Sequence, residues 1–535
     1  MSTIAEQFIR TLGEIGVRHI YGIPGGPSIP YMEALRKNGM RFILTSNEQS
    51  AGVMADVSAR LLGIPGVCHS TFGPGATNLA TGVGGALLDR SPVLALTTEV
   101  SEEDTGRKIQ MNIDHQALFA PISKWTARLN KNWRETLNRA LSIACTELKG
   151  PVHIGLPVGV DAHSADPRSS SLDISPAPLP KPDPKLLARA GELIIKARKP
   201  LLALGLTSLR LGLAPGVRAF ADHFQIPVVV TPMAKGVIPE SHPCFAGVLF
   251  HARSDIVAEV YRNADLVIGL GYDSVEFNYE TWMPDVPLIH IDSERADIAS
   301  GYDVACDISG DVGKALEYIN TLVPSENEWG DAVAVCRTAL WRALTPQEPG
   351  FTPSSLIIAL QDAMPADYLL TADVGAHLHL LGQLWQANEP GRFLITNGWS
   401  SMGFGIPAAI AAKLCRPHTA VVCLIGDGGF LMTCGELVTA RRLGLNVVFI
   451  VLCDRSLSLI GVKQERHGVQ RYATSLYEGA FFGADSFLGV PVLHANRPED
   501  VEPALAKAFR ESGPVIIEAS VDGTSFSDLV TKKYT

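Results

Sequence analysis

Short apolar runs, each closed by a turn and followed by a stretch of helical period, recur along the chain. In its first third they lie at residues 17–23, 42–45, 67–72, 93–98 and 152–156. None alternates apolar with polar positions, which predicts strands buried on both faces, as in a parallel sheet. Between the runs the spacing lengthens to that of helices over residues 4–15, 47–62 and 79–88. The first run ends in Pro24-Gly25-Gly26-Pro27, and the third ends in Gly73-Pro74-Gly75-Ala76-Thr77-Asn78. Further apolar runs follow at 200–206, 226–231, 266–270 and 286–291, and again at 421–425 and 447–452. Strand, turn, helix and strand in this order predict doubly wound α/β sheets with function at the strand C-termini.

Two stretches interrupt the pattern. Residues 163–184 are rich in Pro, Ser and Asp and read as an exposed linker; residues 323–352, with prolines at 324, 346 and 349, read as a second. The expected organisation is three doubly wound parallel-sheet domains, at 1–165, 185–322 and 353–520. A chain of 535 residues is too long for one core, which agrees with that division. Its 46% hydrophobic and 19% charged residues fit a well-packed globular protein. A net charge of −10 argues against a nucleic-acid partner. No apolar stretch approaches the roughly 20 residues of a membrane span, and the N-terminus reads as an amphipathic helix rather than a signal peptide. The nine cysteines form no CxxC pair, so reduced thiols in a cytoplasmic protein are expected and no zinc site is.

Candidate chemistry concentrates between residues 421 and 460. One apolar run there ends in Gly426-Asp427-Gly428-Gly429 and the next in Cys453-Asp454-Arg455-Ser456. A right-handed crossover brings both strand ends to the same sheet edge. Unpaired N–H groups of a glycine turn and helix N-terminus suit phosphate oxygens. Two aspartates beside them suit Mg²⁺, which takes few protein carboxylates when it binds phosphates. Either aspartate alone would be an ordinary cap after a strand; the glycines, both strands and their spacing together point to a metal–diphosphate site.

These residues resemble the thiamin-diphosphate (ThDP) enzyme superfamily, whose diphosphate domain carries Gly-Asp-Gly followed, after a helix and a strand, by an Asn-Asn or Asn-Asp pair. Within it the chain is similar to the acetolactate synthase–like group. The matching stretches are YGIPGG (21–26), NEQSAG (47–52), FGPGATNLATG (72–82), LFAPISKW (118–125), DVGAH (373–377) and NGWSSMGFGIPAA (397–409). The resemblance implies a pyrimidine-binding domain, a central nucleotide-fold domain and a diphosphate-binding domain, in that order. It also implies cofactor sites shared between subunits of a homodimer or homotetramer.

By the same resemblance, Glu48 is the catalytic residue, hydrogen-bonded to the pyrimidine N1′. Without the motif it would be a carboxylate at a helix N-terminus, favourable to the dipole and no more. Asp427, Asp454 and the backbone carbonyl of Ser456 are the implied Mg²⁺ ligands. Gly428 and Gly429 let the backbone approach the diphosphate, and His377 contacts it. The Ser400 carbonyl accepts from the pyrimidine amino group, while Met402 wedges under the cofactor. Cys453 departs from the usual Asn, and Ala376 from a Gln common in acetolactate synthases. Gly25, Gly26, His115 and Gln116 are candidates for the substrate side. Residues 457–479 read as a helix and loop near the mouth of the site.

The implied reaction is decarboxylation of a 2-oxo acid and carboligation, with pyruvate as default donor. Lyases acting on 2-hydroxyacyl-CoA or another acyl donor, sulfoacetaldehyde acetyltransferases and carboxyethyl-arginine synthases share the framework. GVMADVSAR (52–60) and LLDRSP (87–92) resemble the last of these equally well. Some relatives carry FAD in the middle domain; GYDSVEFNYETW (271–282) is closer to flavin-free ones, so FAD is not favoured. A nucleotide-binding oxidoreductase is opposed by the lack of a clean GxGxxG with an acidic partner. A catalytically silent subunit is opposed by the retention of Glu48, Asp427 and Asp454 together.

Overall fold

The computed structural model describes residues 2–165, 175–345 and 350–529. Three mainly parallel sheets dominate it, as the apolar runs predict. In the first, six strands are ordered Arg41–Leu44, His19–Ile23, Gly66–Ser70, Val93–Glu99, Val152–Pro157 and Trp125–Arg128. The middle sheet also has six, ordered Phe245–Val248, Val228–Val230, Pro200–Leu204, Leu266–Leu270, Leu288–Asp292 and Val304–Ser309. The third is built around Ala420–Gly426 and Val448–Cys453. Outside this pair lie Tyr368–Ala372 and Phe393–Leu394 on one side, and Val515–Ser520 and Val490–Ala495 on the other. The third sheet ends in an antiparallel edge strand, Ser486–Phe487, which the expectation of a wholly parallel sheet did not include.

Several expectations about elements are corrected. Residues 332–344, inside the presumed second linker, form the helix Ala332–Leu344, which buries Cys336, Leu340 and Leu344. The prolines that suggested a linker only flank it, and positions 346–349 lie outside the described residues, as do 166–174 of the first presumed linker. The helix expected over 79–88 starts earlier, as Pro74–Leu88. Pro74 sits in its first turn, where the missing N–H has no intrahelical partner to lose.

The sheets are not independent. The helices Glu48–Leu62 and Pro74–Leu88 cross at Gly52 and Gly82, where a Cβ on Gly52 would lie 2.7 Å from Gly82 Cα. Only glycine permits so close an approach. The same helix Glu48–Leu62 packs on Gly405–Cys415 of the third region, and Met54, Val57, Ile406 and Ile410 share one buried cluster. Half-buried Arg60 spans this seam, bonding Asp56 and Asp89 at 2.6 and 2.7 Å and the Ile395 carbonyl at 2.6 Å. Arg90 reaches the middle region through a forked pair with Asp273. Lys235 joins the middle region to the Gly382 and Trp385 carbonyls of the third.

Candidate active site

The register of the third sheet sets Gly426 opposite Leu452, so Asp427 and Asp454 emerge at neighbouring strand ends. A cavity of about 210 Å³ opens there. It is lined by His377, Ser400, Met402, Asp427, Gly428, Gly429, Asp454 and Ser456, all the third-region residues expected to form the site.

Both carboxylates are partly desolvated. Burial raises Asp427 above the ordinary carboxylate range, against hydrogen bonds that pull it down. Its Oδ1 accepts from Gly428 N at 2.8 Å; its Oδ2 accepts from Arg455 N at 2.8 Å and the Tyr477 hydroxyl at 3.0 Å. Asp454 is pushed up to about 6, mainly by burial and further by the charge of Asp427, while Ser458 Oγ donates to its Oδ2 at 2.5 Å. Two hard oxygen donors at neighbouring strand ends, both with proton affinity raised by burial, are a fitting pair for a dication.

His377 supplies a second sign that the cavity suits a ligand. Burial lowers its pKa to about 4, and its ring is turned toward the Asp373 carbonyl. Its Nε2 is buried and has no hydrogen-bond partner among the described residues. A buried polar atom in that state favours a ligand partner. Ser400 adopts φ +53°, a left-handed conformation uncommon outside glycine, with its Oγ donating to the Asn397 carbonyl at 2.6 Å.

The two glycines after Asp427 differ. A Cβ on Gly428 would meet Leu457 Cδ2 at 2.9 Å and Met402 Cε at 3.3 Å, so this position keeps the cavity wall thin. A Cβ on Gly429 would meet Asp373 Oδ2 at 2.0 Å, so that space belongs to a carboxylate of the same chain. Asp373, buried and pushed up to about 7 by burial, accepts from Val374 N at 2.8 Å, Gly403 N at 3.0 Å and Phe404 N at 3.2 Å. It thereby fixes the loop that carries Met402. Asp373 opens the DVGAH stretch, yet its clamping role had no sequence signal. Nor had Tyr477 or Ser458, whose contacts arise from tertiary folding.

None of the candidates from the first sheet lines this cavity within the chain. Glu48 opens its helix after the cap Asn47 and is 6% exposed. Its Oε2 accepts from Asn78 Nδ2 at 3.1 Å, and a Cβ on Gly75 would come within 3.2 Å of its Oε1. Glycine at that position leaves room beside the carboxylate. The neighbouring Gln49 reaches the Met402 carbonyl at 3.4 Å, and Glu436 Oε1 accepts from Ser46 N and Asn47 N at 2.8 and 3.1 Å. The N-terminus of the Glu48 helix is therefore held by the third region.

Gly25 packs on Thr71, while Gly26 faces open space. His115 has partners for both ring nitrogens: Gly73 N donates to Nε2 at 3.2 Å, and Nδ1 lies 2.8 Å from Thr97 Oγ1. Gln116 bonds Glu99 Oε1 at 2.7 Å and accepts from Thr126 at 2.6 Å. Within the chain both residues belong to a polar network that engages their side-chain polar groups. Another cavity, about 290 Å³, touches Arg60, Arg90 and Arg210, but Asp89, Asp273 and Glu147 already pair with them.

Comparison with known proteins gives a consistent picture. Three family models match: thiamine pyrophosphate enzyme N-terminal TPP binding domain over residues 2–118, central domain over 187–319 and C-terminal TPP binding domain over 373–519. A probable acetolactate synthase large subunit of Methanocaldococcus jannaschii is 30% identical, over 97% of this chain and 92% of that protein. The acetolactate synthase isozyme 2 large subunit of Escherichia coli is 29% identical over 97% of this chain and 95% of its own. An acetolactate synthase of Bacillus subtilis is 29% identical over 99% and 95%.

Proposed function

The chain belongs to the thiamine pyrophosphate enzyme family, and on that premise we propose that it is a Mg²⁺-dependent carboligase of the acetolactate synthase type. It removes CO₂ from a 2-oxo acid, pyruvate by default, and joins the remaining unit to a second 2-oxo acid. The observation that carries this reading is the cavity in which Asp427 and Asp454 meet at neighbouring strand ends, beside Gly428, Gly429 and His377.

Bound ThDP supplies an electron sink for decarboxylation. The chain's own groups bind and orient it. Asp427, Asp454 and the Ser456 carbonyl hold Mg²⁺, and His377 binds a diphosphate oxygen through Nε2. Gly428 keeps side-chain bulk away from the diphosphate. The Ser400 carbonyl accepts from the pyrimidine amino group, and Met402 packs beneath the rings. Glu48 holds a proton at the pyrimidine N1′, with Gly75 leaving the space this requires. Since Glu48 lies outside the cavity lining in its own chain, a second copy is the natural source of that residue, in a homodimer or homotetramer.

The middle domain works without flavin. At its strand ends, where a dinucleotide diphosphate would bind, Thr207 N donates to the Gly271 carbonyl at 3.0 Å. A Cβ on Gly205 would lie 2.6 Å from Tyr272 Cα, so the two loops are already in backbone contact. Among the described residues no helix is long and apolar enough to cross a membrane, and a cytoplasmic location suits the reduced thiols.

The test is CO₂ release from a panel of 2-oxo acids with ThDP and Mg²⁺, with and without carbonyl acceptors. Release from pyruvate and a condensed product are expected. Activity confined to acyl-CoA donors, or a flavin absorbance band in the purified protein, would overturn the corresponding part.

A further inference from the structure

The Tyr477 hydroxyl bonds Asp427 across 50 residues of chain. The segment that brings it there is stitched to the turn after Asp454. Leu457 N donates to the Thr474 carbonyl at 2.8 Å, Leu476 N to the Arg455 carbonyl at 3.0 Å, and Ser456 bridges Ser475. The tyrosine ring is steadied by Phe481, 4.8 Å away between centroids. The segment that carries Tyr477 is therefore anchored on the same turn that carries Asp454 and Ser456.

A carboxylate offers about four lone-pair sites. On Asp427 three are taken by hydrogen bonds of normal geometry, one on Oδ1 by Gly428 N and two on Oδ2 by Arg455 N and Tyr477, while the Asp454 N–H adds a further pull on the carboxylate. The open lone pair is on Oδ1. Cys453, the side chain next to the tyrosine hydroxyl, is at best a weak donor. Tyr477 is thus the strong side-chain donor to this carboxylate.

We infer that Tyr477 is a positioning residue for the metal centre: by occupying Oδ2 it holds Asp427 so that Oδ1 alone is offered to the cation, which makes the aspartate a monodentate ligand. This rests on the proposed role of Asp427 as a metal ligand. Groups that orient a ligand from behind typically change metal affinity 10- to 100-fold when removed. Arg455 N stays in place, so the lower end of that range applies.

The probe is Mn²⁺ bound to the full chain with ThDP, followed by electron paramagnetic resonance. Tyr477→Phe keeps the ring and removes the donor. It should raise the Mn²⁺ Kd about tenfold and change the line shape of the bound ion, while the thermal midpoint without metal stays put. Phe481→Leu loosens the packing of the loop but leaves the hydroxyl, and should change neither affinity nor line shape. Equal Mn²⁺ affinity and line shape in wild type and Tyr477→Phe would overturn the inference. So would an equal weakening in Phe481→Leu, because loop packing would then explain the effect. A wild-type chain that binds no Mn²⁺ in the presence of ThDP would instead overturn the proposed function itself, and this inference with it.

Discussion

Gly429→Ala is expected to damage the protein through Asp373 rather than through any ligand. The added methyl would sit 2.0 Å from Asp373 Oδ2 and 3.3 Å from Ile425 Cγ1, so the carboxylate must move. Its departure strands the N–H groups of Gly403 and Phe404, both buried. Each buried donor left unpaired costs about 1–3 kcal/mol, giving roughly 2–6 kcal/mol in all. For a unit of roughly 150 residues that is a fall of about 6–19 °C in thermal midpoint, readable by circular dichroism without cofactor. Gly26→Ala is the control: nothing lies within 4 Å of its added methyl, and a change within about 0.5 kcal/mol is expected. In an Asp373→Ala background, Gly429→Ala should add little, because the clash and the clamp are then both absent. A Gly429→Ala midpoint within about 2 °C of wild type, or full additivity with Asp373→Ala, would refute the clamp.

Glu48→Gln should keep ThDP bound while turnover falls about 10²- to 10⁴-fold, the usual range for losing a proton-handling group; full turnover would remove Glu48 from its role. Chelation of Mg²⁺ should release ThDP in equilibrium dialysis, because Asp427 and Asp454 would then face the diphosphate with no cation between them; retention of cofactor would count against the metal assignment. His69, buried and 2.7 Å from Ser28 Oγ, is held near pKa 4 by burial, below its ordinary value of 6.5. The native state favours its neutral form, so its contribution is present above about pH 6.5 and is lost as pH falls toward 4, at most about 3 kcal/mol. His69→Gln should flatten that part of the stability–pH curve measured with denaturant, and parallel curves would contradict the assignment.

The residues whose placement was legible in the sequence are those set by backbone position. Asp427 and Asp454 end apolar strands, and register alone sets them side by side. Gly429 was legible as a position needing glycine but not for its reason, because the group filling its space, Asp373, arrives from another strand end. Tyr477 lies beyond the helix Ser458–Arg466 in a stretch without periodicity, and only tertiary folding brings it to Asp427. His115 and Gln116 looked available because a sequence does not reveal that Gly73, Thr97, Glu99 and Thr126 already engage them. The helix Ala332–Leu344 was hidden by the prolines around it, although its own apolar positions suffice to bury one face.

Three sheets of similar winding invite the view that the chain is a string of exchangeable modules. The grip of Glu436 on Ser46 and Asn47 says otherwise. The helix that presents Glu48 has its first turn secured by a carboxylate almost four hundred positions downstream, and its flank pressed on the helix Gly405–Cys415. Cut out and expressed alone, the N-terminal unit would lose the anchor for the first turn that carries Glu48 and bare an apolar stripe to water. A chimaera that exchanged this unit for another of the same topology would inherit the winding without the aim. In this chain the place of Glu48 is a property of the whole polypeptide, although the residue stands near its beginning.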